Sequence, residues 1–460
     1  MSLAHAESQL QGLVPPRAAA LFEELRPPLS AEAALAEADR CLVCGGPEAQ
    51  APCAAACPAM VDVPRFIDDL AHGDWEAAAG VLFASNLLAA SCARVCPTEE
   101  LCEGACVLTR QGRRPIEIGR LQRFAADAAL GNPWSTFRHA AAPTGRHVVV
   151  IGGGPAGLVC AGELAVLGHR VTIYEARPDS GGLMRYAIAP FRLDEEPIAD
   201  EVRRILALGV ELYLGRPIAT PEALRRVEEE ADAIFLGVGM GKDVADGLPG
   251  ATLPGIWDSL DFIEALKARR FPELGRRVAV VGGGNTAMDV AREARRLGAE
   301  DVRVLYRRTE AEMPAFRFEL EGAVADGVRF EWLTAPTGFT GTTRVEGVTC
   351  QRMRLGAPDA SGRRRPEPEP GTTFTLPVDT VIRAIGQEPH LAFLGWIPGL
   401  ELRHGRPVVH PDTGQTTNPR YFAGGDVLTG GGTVVAAVGA GKRAARGIHA
   451  FLRARPGVLS

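Results

Sequence analysis

The chain is 460 residues long, enough for roughly two to four domains with cores of their own. Hydrophobic residues make up 46% and charged residues 23%, an ordinary globular balance, and the net charge of -6 argues against nucleic acid or an anionic membrane as partner, since either favours a basic patch. Glycine is in excess at 53 residues, many of them in short runs of the kind that phosphate-cradling loops use.

At the start of the chain, Met1 to Arg40 has neither the basic opening nor the apolar stretch of a secretory signal. Pro15-Pro16 and Pro27-Pro28 interrupt it, so no export is implied and a cytoplasmic location is expected. Two volleys of cysteine come next: Cys41, Cys44, Cys53 and Cys57, then Cys92, Cys96, Cys102 and Cys106, with proline directly after Cys57 and Cys96. Thiols at this density, with a Cys-Pro step closing a C-x3-C pair, follow the bacterial pattern of iron-sulfur ligation, in which one run of cysteines serves more than one cluster. Disulfides are disfavoured where thiols are kept reduced, so the region is expected to carry single electrons; a pair of zinc sites is the alternative. Apolar residues recur at three and four along Val63 to Leu70, which predicts helix. Residues 1 to about 140 thus read as a small helical domain around cofactors, linked through Pro133 and Pro143 to the rest of the chain.

From Arg146 the pattern becomes strand, glycine turn, helix, strand, the mark of a parallel α/β sheet. It occurs twice, over His147 to Glu175 and over Val278 to Arg308, and each copy is one βαβ nucleotide-binding unit. The first carries Gly152, Gly154 and Gly157, with Pro155 and Ala156 between the last two. The three glycines permit a tight turn, backbone approach to a pyrophosphate and helix-on-strand packing, and Glu175 at the end of the next strand is placed to accept from a ribose. The uncharged run from Val148 stops at Glu163, short of the ~20 residues of a membrane helix. The second copy has Gly282, Gly284 and Ala287, and its second strand ends in Arg307-Arg308 instead of an acid. Guanidinium groups there suit a 2′-phosphate, which favours NADP(H), with NAD(H) as the alternative. Between about Gly341 and Pro377 the chain turns polar, and Arg363 to Pro368 reads as a solvated hairpin tip.

Near the end, Gly425-Asp426 follows a strand, and Gly430 to Val434 precedes an alanine-rich helix. A strand that delivers Gly-Asp to a helix N-terminus is how a two-domain flavoprotein closes on the ribityl chain, so the C-terminal piece is expected to return to the first nucleotide domain. Only Cys160 and Cys350 lie outside the N-terminal region, and neither sits in a C-x-x-C pair, so dithiol chemistry is not expected.

Taken in order, CLVC, PCAAACP, ARVCPTEELCEGAC, IGRLQRF, GGGPAG, GGLMRYAIAPFRL, GGGNTAMD, YRR, EMP and GGD resemble the small (beta) subunit of NADPH-dependent glutamate synthase. Its relatives include the N-terminal half of dihydropyrimidine dehydrogenase and the flavoprotein subunit of NADH-dependent ferredoxin:NADP reductase. The resemblance implies an α/β fold of two Rossmann-like domains, the second inserted in the first, preceded by an α-helical iron-sulfur domain. The expected bounds are 1–140 for the iron-sulfur domain, 141–254 and 386–460 for the FAD domain and 255–385 for the NADP(H) domain. It implies FAD, NADP(H) and two [4Fe-4S] clusters. By the resemblance, Cys41, Cys44, Cys53 and Cys106 hold one cluster. Cys57, Cys96 and Cys102 hold the other, with Gln122 as an unusual fourth ligand and Cys92 as a spare thiol, or with Cys92 in place of Gln122.

FAD contacts are implied at Gly181, Gly182, Leu183, Arg192, Gly425, Asp426, Thr433 and Val434, and NADP(H) contacts at Gly283, Gly284, Asn285, Thr286, Arg307 and Arg308. The implied activity is electron entry: hydride from NADPH to FAD, then single electrons through the clusters to a larger catalytic subunit, with the glutamate synthase large subunit foremost, or to a ferredoxin-type acceptor. Alternatives are a flavoprotein subunit of a 2-oxoacid, pyrimidine or ferredoxin oxidoreductase, including one that runs toward NAD(P) reduction, a free-standing diaphorase, and a non-enzymatic zinc and nucleotide scaffold.

Overall fold

The computed structural model describes residues 21–46, 50–130, 132, 134, 138–359 and 362–454; Pro15-Pro16 and Pro133 lie outside them. The chain forms two compact units: one of residues 26–185, 192–241 and 389–460, the other of residues 1–25, 186–191 and 242–388.

Among its described residues the larger unit opens with the α-helices α1 (Ala31–Ala38), α2 (Pro52–Ala55), α3 (Val63–Ala71), α4 (Trp75–Ser85), α5 (Ala89–Val95), α6 (Val107–Arg110) and α7 (Ile118–Ala128). Side-chain caps start three of them: Ser30 accepts from the Ala33 amide, Asp62 from Arg65 and Asp74 from Ala77, each satisfying a donor the helix itself cannot. Phe66, Ile67, Leu70, Leu82, Leu88 and Leu121 are fully buried between these helices. Buried Glu37 on α1 accepts from Arg40 at 2.5 Å, Arg114 at 2.6 Å and the Glu117 amide at 2.9 Å, so the later cysteine segment is tied back to the helix that precedes Cys41. No single described helix is long and apolar enough to cross a membrane; α4 and α5 together pass by length and composition but meet at a 90° break.

The same unit continues with β1 (His147–Ile151), α8 (Pro155–Val166), β2 (Arg170–Tyr174), α9 (Leu183–Tyr186), α10 (Glu195–Leu206), β3 (Glu211–Tyr213), α11 (Pro221–Glu230) and β4 (Ala233–Leu236). Every residue of β1 is buried, as a strand with both faces covered requires.

The other unit holds a parallel sheet in the order β5-β12-β6-β7-β8. Its elements are β5 (Ile256–Asp258), α12 (Ser259–Lys267), β6 (Arg277–Val281), α13 (Asn285–Arg296), β7 (Asp301–Tyr306), α14 (Arg317–Ala325), β8 (Arg329–Trp332), β9 (Thr334–Thr340), β10 (Gly347–Pro358), β11 (Arg364–Pro377) and β12 (Thr380–Arg383). The antiparallel ribbon β11-β10-β9 stands apart as a second sheet. The polar segment read as a hairpin tip is placed differently: Arg364, Pro366, Glu367 and Pro368 pair along β10, and the Asp359 amide donates to the Arg363 carbonyl at 2.7 Å. Proline is tolerated there because β11 is an edge strand.

The chain then returns to the larger unit through α15 (Leu391–Leu394), β13 (Leu402–Arg403), β14 (Arg406–Pro407), β15 (Tyr421–Ala423), α16 (Asp426–Thr429) and α17 (Val434–Ala454). β15 pairs parallel with β4, Tyr421 beside Ile234, and completes a sheet in the order β15-β4-β1-β2-β3.

Candidate functional site

The first glycine loop turns sharply after β1. Gly152 takes φ 105°, and a Cβ there would meet the Gly237 carbonyl; a Cβ on Gly157 would lie well inside contact distance of the Gly152 carbonyl. Gly154 caps α8 with no side-chain acceptor on the first-turn amides, and Pro155 follows at the first helical position. Those amides and the helix dipole favour an anion. Glu175 is buried; its carboxylate accepts from the Gly153 amide at 2.6 Å and the Arg177 amide at 2.8 Å, which leaves lone pairs for ribose hydroxyls.

Two further segments converge on this loop. The Gly181 amide donates to the Gly153 carbonyl at 2.8 Å, and Gly182, at φ 53°, lies so close to Gly154 that a Cβ would fall 2.8 Å from its Cα. Leu183 follows directly as the first residue of α9. From the C-terminal return, Gly425 adopts φ 78° with Ala156 at its back, which places Asp426 beside the start of α8. Burial raises the Asp426 carboxyl above the usual range against a bond from Thr429. Thr433 Oγ1 accepts from the Ala436 amide at 3.2 Å, so the Thr433-Val434 step opens α17 as a capped helix. Arg192 is half-buried and belongs to the same unit. Residues far apart in sequence thus surround one helix N-terminus, and the open backbone cradle suits a dinucleotide.

The second glycine loop repeats the geometry in the other unit. Gly284 caps α13 without a side-chain acceptor, and the space where its Cβ would stand is empty within 4 Å. Gly283 packs under the Tyr306 ring, where a Cβ would come to 2.5 Å. Asn285 spends its side-chain oxygen on the Phe316 amide at 2.8 Å, and the Ala315 amide donates to the Gly283 carbonyl at 3.2 Å; the 309–316 segment is folded against the loop by these bonds and by Tyr306 OH to the Glu312 carbonyl at 2.8 Å. Thr286 is half-buried beside Asn285. The two arginines after β7 part company. Arg307 is exposed. Arg308 is buried, pairs with Asp359 at 3.0 Å and donates to the Arg364 carbonyl at 2.8 Å, holding the β10-β11 hairpin.

All eight N-terminal cysteines are free thiols. Cys41, Cys44, Cys53 and Cys106 line an apolar pocket walled by Val63, Ile67, Ile116 and Ile118. Burial pushes Cys53 up to about 11 and raises Cys41, so a bare thiolate is disfavoured there and a cation would be needed to hold it. Cys57, Cys92, Cys96 and Cys102 form the second group: Cys92 and Cys96 share a side-chain hydrogen bond, and Cys96 is further raised by burial and by the charges of Cys92, Cys102 and Cys57. Gln122 on α7 donates from its amide nitrogen to the Ala89 carbonyl at 2.9 Å. Among the described residues no three His, Cys, Asp or Glu side chains close to the spacing of a single bound metal ion. Thiols spread around an apolar pocket without single-ion spacing suit a multi-atom cluster better than one tetrahedral zinc, whose sulfurs sit ~2.3 Å from the ion. Cys160 and Cys350 are fully buried.

Three residues of this region were not singled out from the sequence. Glu201 on α10 accepts from the Ala90 and Ser91 amides at 2.7 and 3.0 Å and so caps the helix that carries Cys92. Gly439 and Lys442 on α17 meet the turn after Cys57. A lysine inside the small-residue run Gly439 to Ala445 is the one signal available.

Residues 17–134 match the family described as dihydropyrimidine dehydrogenase domain II, 4Fe-4S cluster, and residues 146–441 match the pyridine nucleotide-disulphide oxidoreductase family. The chain is 37% identical to the glutamate synthase (NADPH) small chain of Halomonas elongata, over 94% of this chain and 93% of that one. It is 40% identical to the NADP(+)-dependent formate dehydrogenase subunit beta of Moorella thermoacetica, over 88% of this chain, and spans 60% of that protein's length. Mycobacterium tuberculosis FprA in complex with NADPH superposes with a TM-score of 0.56 at 20% identity, over 67% of this chain and 85% of that one, a likeness of fold.

Proposed function

The chain belongs to the glutamate synthase small-chain family of NAD(P)H-dependent FAD oxidoreductases with a 4Fe-4S domain, and on that premise we propose that it is an electron-entry subunit that takes reducing equivalents from NADPH and delivers them singly to a larger catalytic partner. The glutamate synthase large subunit is the foremost candidate, supported by similarity along 93% of the Halomonas small chain. The observation that carries the reading is that eight free thiols in two groups share one compact unit with the first glycine loop.

When bound, FAD exchanges a hydride with a nicotinamide and single electrons with iron-sulfur centres. The chain's own residues bind and orient. Gly152, Gly154, Pro155, Ala156 and Gly157 would cradle the FAD pyrophosphate at the start of α8, with Glu175 accepting from the ribose. Gly182, Leu183, Arg192, Gly425, Asp426, Thr433 and Val434 would hold the remainder. Gly283, Gly284, Asn285 and Thr286 would take the pyrophosphate of NADP(H), and exposed Arg307 its 2′-phosphate, while Arg308 is committed to the hairpin. Cys41, Cys44, Cys53 and Cys106 would hold one cluster. Cys57, Cys96 and Cys102 would hold a second, completed by Cys92, since a thiolate is the ordinary ligand of such a centre, with the Gln122 Oε1, left free by the Nε2 bond to Ala89, as the alternative. No proton-transfer residue is required in a hydride step between two rings, so positioning is the main catalytic contribution.

The 40% identity to a formate dehydrogenase subunit favours a second reading of the partner alone: the same module coupled to a different oxidoreductase and run toward NADP reduction. Anaerobic purification from the native host, with identification of what co-purifies, tests both. A partner with amidotransferase and FMN-barrel features supports the glutamate synthase assignment. A formate-oxidising, 2-oxoacid-oxidising or pyrimidine-reducing partner replaces it.

A further inference from the structure

Helix α17 begins at the proposed flavin end, where Thr433 caps its first turn, and less than two turns later it reaches the cysteine-bearing region. There Gly439 lets the Cys57-Pro58 turn come so near that a Cβ would stand 2.7 Å from the Pro58 carbonyl. One turn on, Lys442 extends its ammonium into the protein, 9% exposed, and donates to the Ala59 carbonyl at 2.6 Å and the Ser85 carbonyl at 2.5 Å. Both acceptors are neutral. No carboxylate lies within ion-pair distance of Lys442 among the described residues. Glu163, whose charge reaches it, is engaged by Arg138 at 2.7 and 3.0 Å.

A buried ammonium with no counter-ion is costly, and proteins keep such groups where an anion answers them. Burial does push the Lys442 amine below its ordinary range, while the charge of Cys57 acts in the opposite sense. The anion is at hand if Cys57, Cys92, Cys96 and Cys102 are thiolates around an iron-sulfur centre, since such a centre is net negative and becomes more so on reduction.

Resting on the electron-entry function, we infer that Lys442 is the counter-charge of the second iron-sulfur centre: a positioning residue that pins the turn after Cys57 and raises that centre's potential by favouring its reduced form. Placed on the helix that starts at the flavin, it ties the two electron carriers to one rigid element.

Anaerobic redox titration followed by EPR, on the full chain as wild type, Lys442→Met, Lys442→Gln and Lys442→Arg, tests this. In the neutral variants one iron-sulfur signal is expected to shift to lower potential. Its reduced-to-oxidised ratio at a fixed potential should fall on the order of tenfold, about 59 mV for one electron. The other signal and the flavin content should hold, and Lys442→Arg should restore most of the shift. Loss of one cluster's iron from both neutral variants with retention in Lys442→Arg supports the same role. Wild-type potentials in an iron-replete Lys442→Gln or Lys442→Met protein overturn it. Wild-type protein without iron overturns instead the function on which the inference rests.

Discussion

Arg307 leaves its guanidinium in solvent at the end of β7, whereas Arg308 turns inward to Asp359 and the Arg364 carbonyl. Arg307→Ala should therefore raise the KM for NADPH roughly ten- to a hundredfold, the equivalent of ~1.5 to 3 kcal/mol for a charge-assisted bond, and leave the KM for NADH nearly unchanged. Steady-state kinetics with both cofactors decides it; an unchanged NADPH to NADH preference would remove the assignment. Arg308→Ala should lower stability by about 1 to 3 kcal/mol, read as a fall in the denaturant midpoint, with little effect on cofactor preference. The two arginines are indistinguishable in the sequence because neighbours at a strand end point to opposite sides, and only the hairpin that folds back over one of them separates their roles. Cys92 poses the same difficulty. The number of thiols is legible in the sequence, but the approach of Cys92 to Cys96 depends on where α5 stops, with the Cys96 amide closing its last turn on the Cys92 carbonyl at 2.9 Å. Cys92→Ser is expected to lower the iron content of the purified protein, and Gln122→Ala to leave it intact. Iron analysis with acid-labile sulfide distinguishes them, and the opposite pattern would restore the glutamine as ligand.

Helix α8 fits under its glycine loop because Gly157 has no side chain to strike the Gly152 carbonyl. Gly157→Ala should cost about 1 to 3 kcal/mol of overpacking and yield protein with much reduced flavin, measured as the ratio of flavin to protein absorbance; full flavin content would show that the loop yields without loss. Behind α8, the start of β2 is joined to α17 by a histidine pair, His169 buried and His449 half-buried. His169 Nε2 and His449 Nδ1 lie 2.8 Å apart, and His169 Nδ1 meets Thr144 Oγ1 at 2.8 Å. Burial, and then the neighbouring His449, push His169 down to about 4. The folded state thus prefers the neutral ring, and the unfolded chain binds the extra proton between about pH 6.5 and 4. The stabilisation is complete above the upper value and is lost as pH falls through the lower one. Thermal midpoints recorded from pH 7 to 4 should fall more steeply for the wild type than for His169→Gln; parallel curves would refute a neutral His169. Both βαβ units are legible in the sequence, because a buried strand, a glycine turn and an alanine-rich helix leave the same trace wherever they occur. The histidine pair is not, since its members stand in elements whose packing closes only after β15 joins the sheet.

At the scale of the molecule, the α/β class follows from the repeated strand-turn-helix pattern, and the return of the C-terminal piece follows from Gly425-Asp426 downstream of both loops. Tyr421 beside Ile234 in one parallel sheet is the physical form of that return. The N-terminal region is legible as a helical domain that carries a set of thiols, but not in the polar contacts that hold it together. How the thiols divide into two groups is fixed by Glu37, which ties the segment after Cys106 to α1, and by Glu201 and Lys442, which reach in from α10 and α17. Such long-range polar anchors have no periodicity to announce them. The division matters because a single unit containing the flavin loop and both thiol groups is what an electron-entry subunit requires. The most direct measurement is the cofactor content of the anaerobically purified chain, with its response to NADPH. FAD together with iron and acid-labile sulfide is expected, with the flavin bleaching on addition of NADPH; a colourless protein, or one that carries zinc without iron, would contradict the electron-entry role at its root.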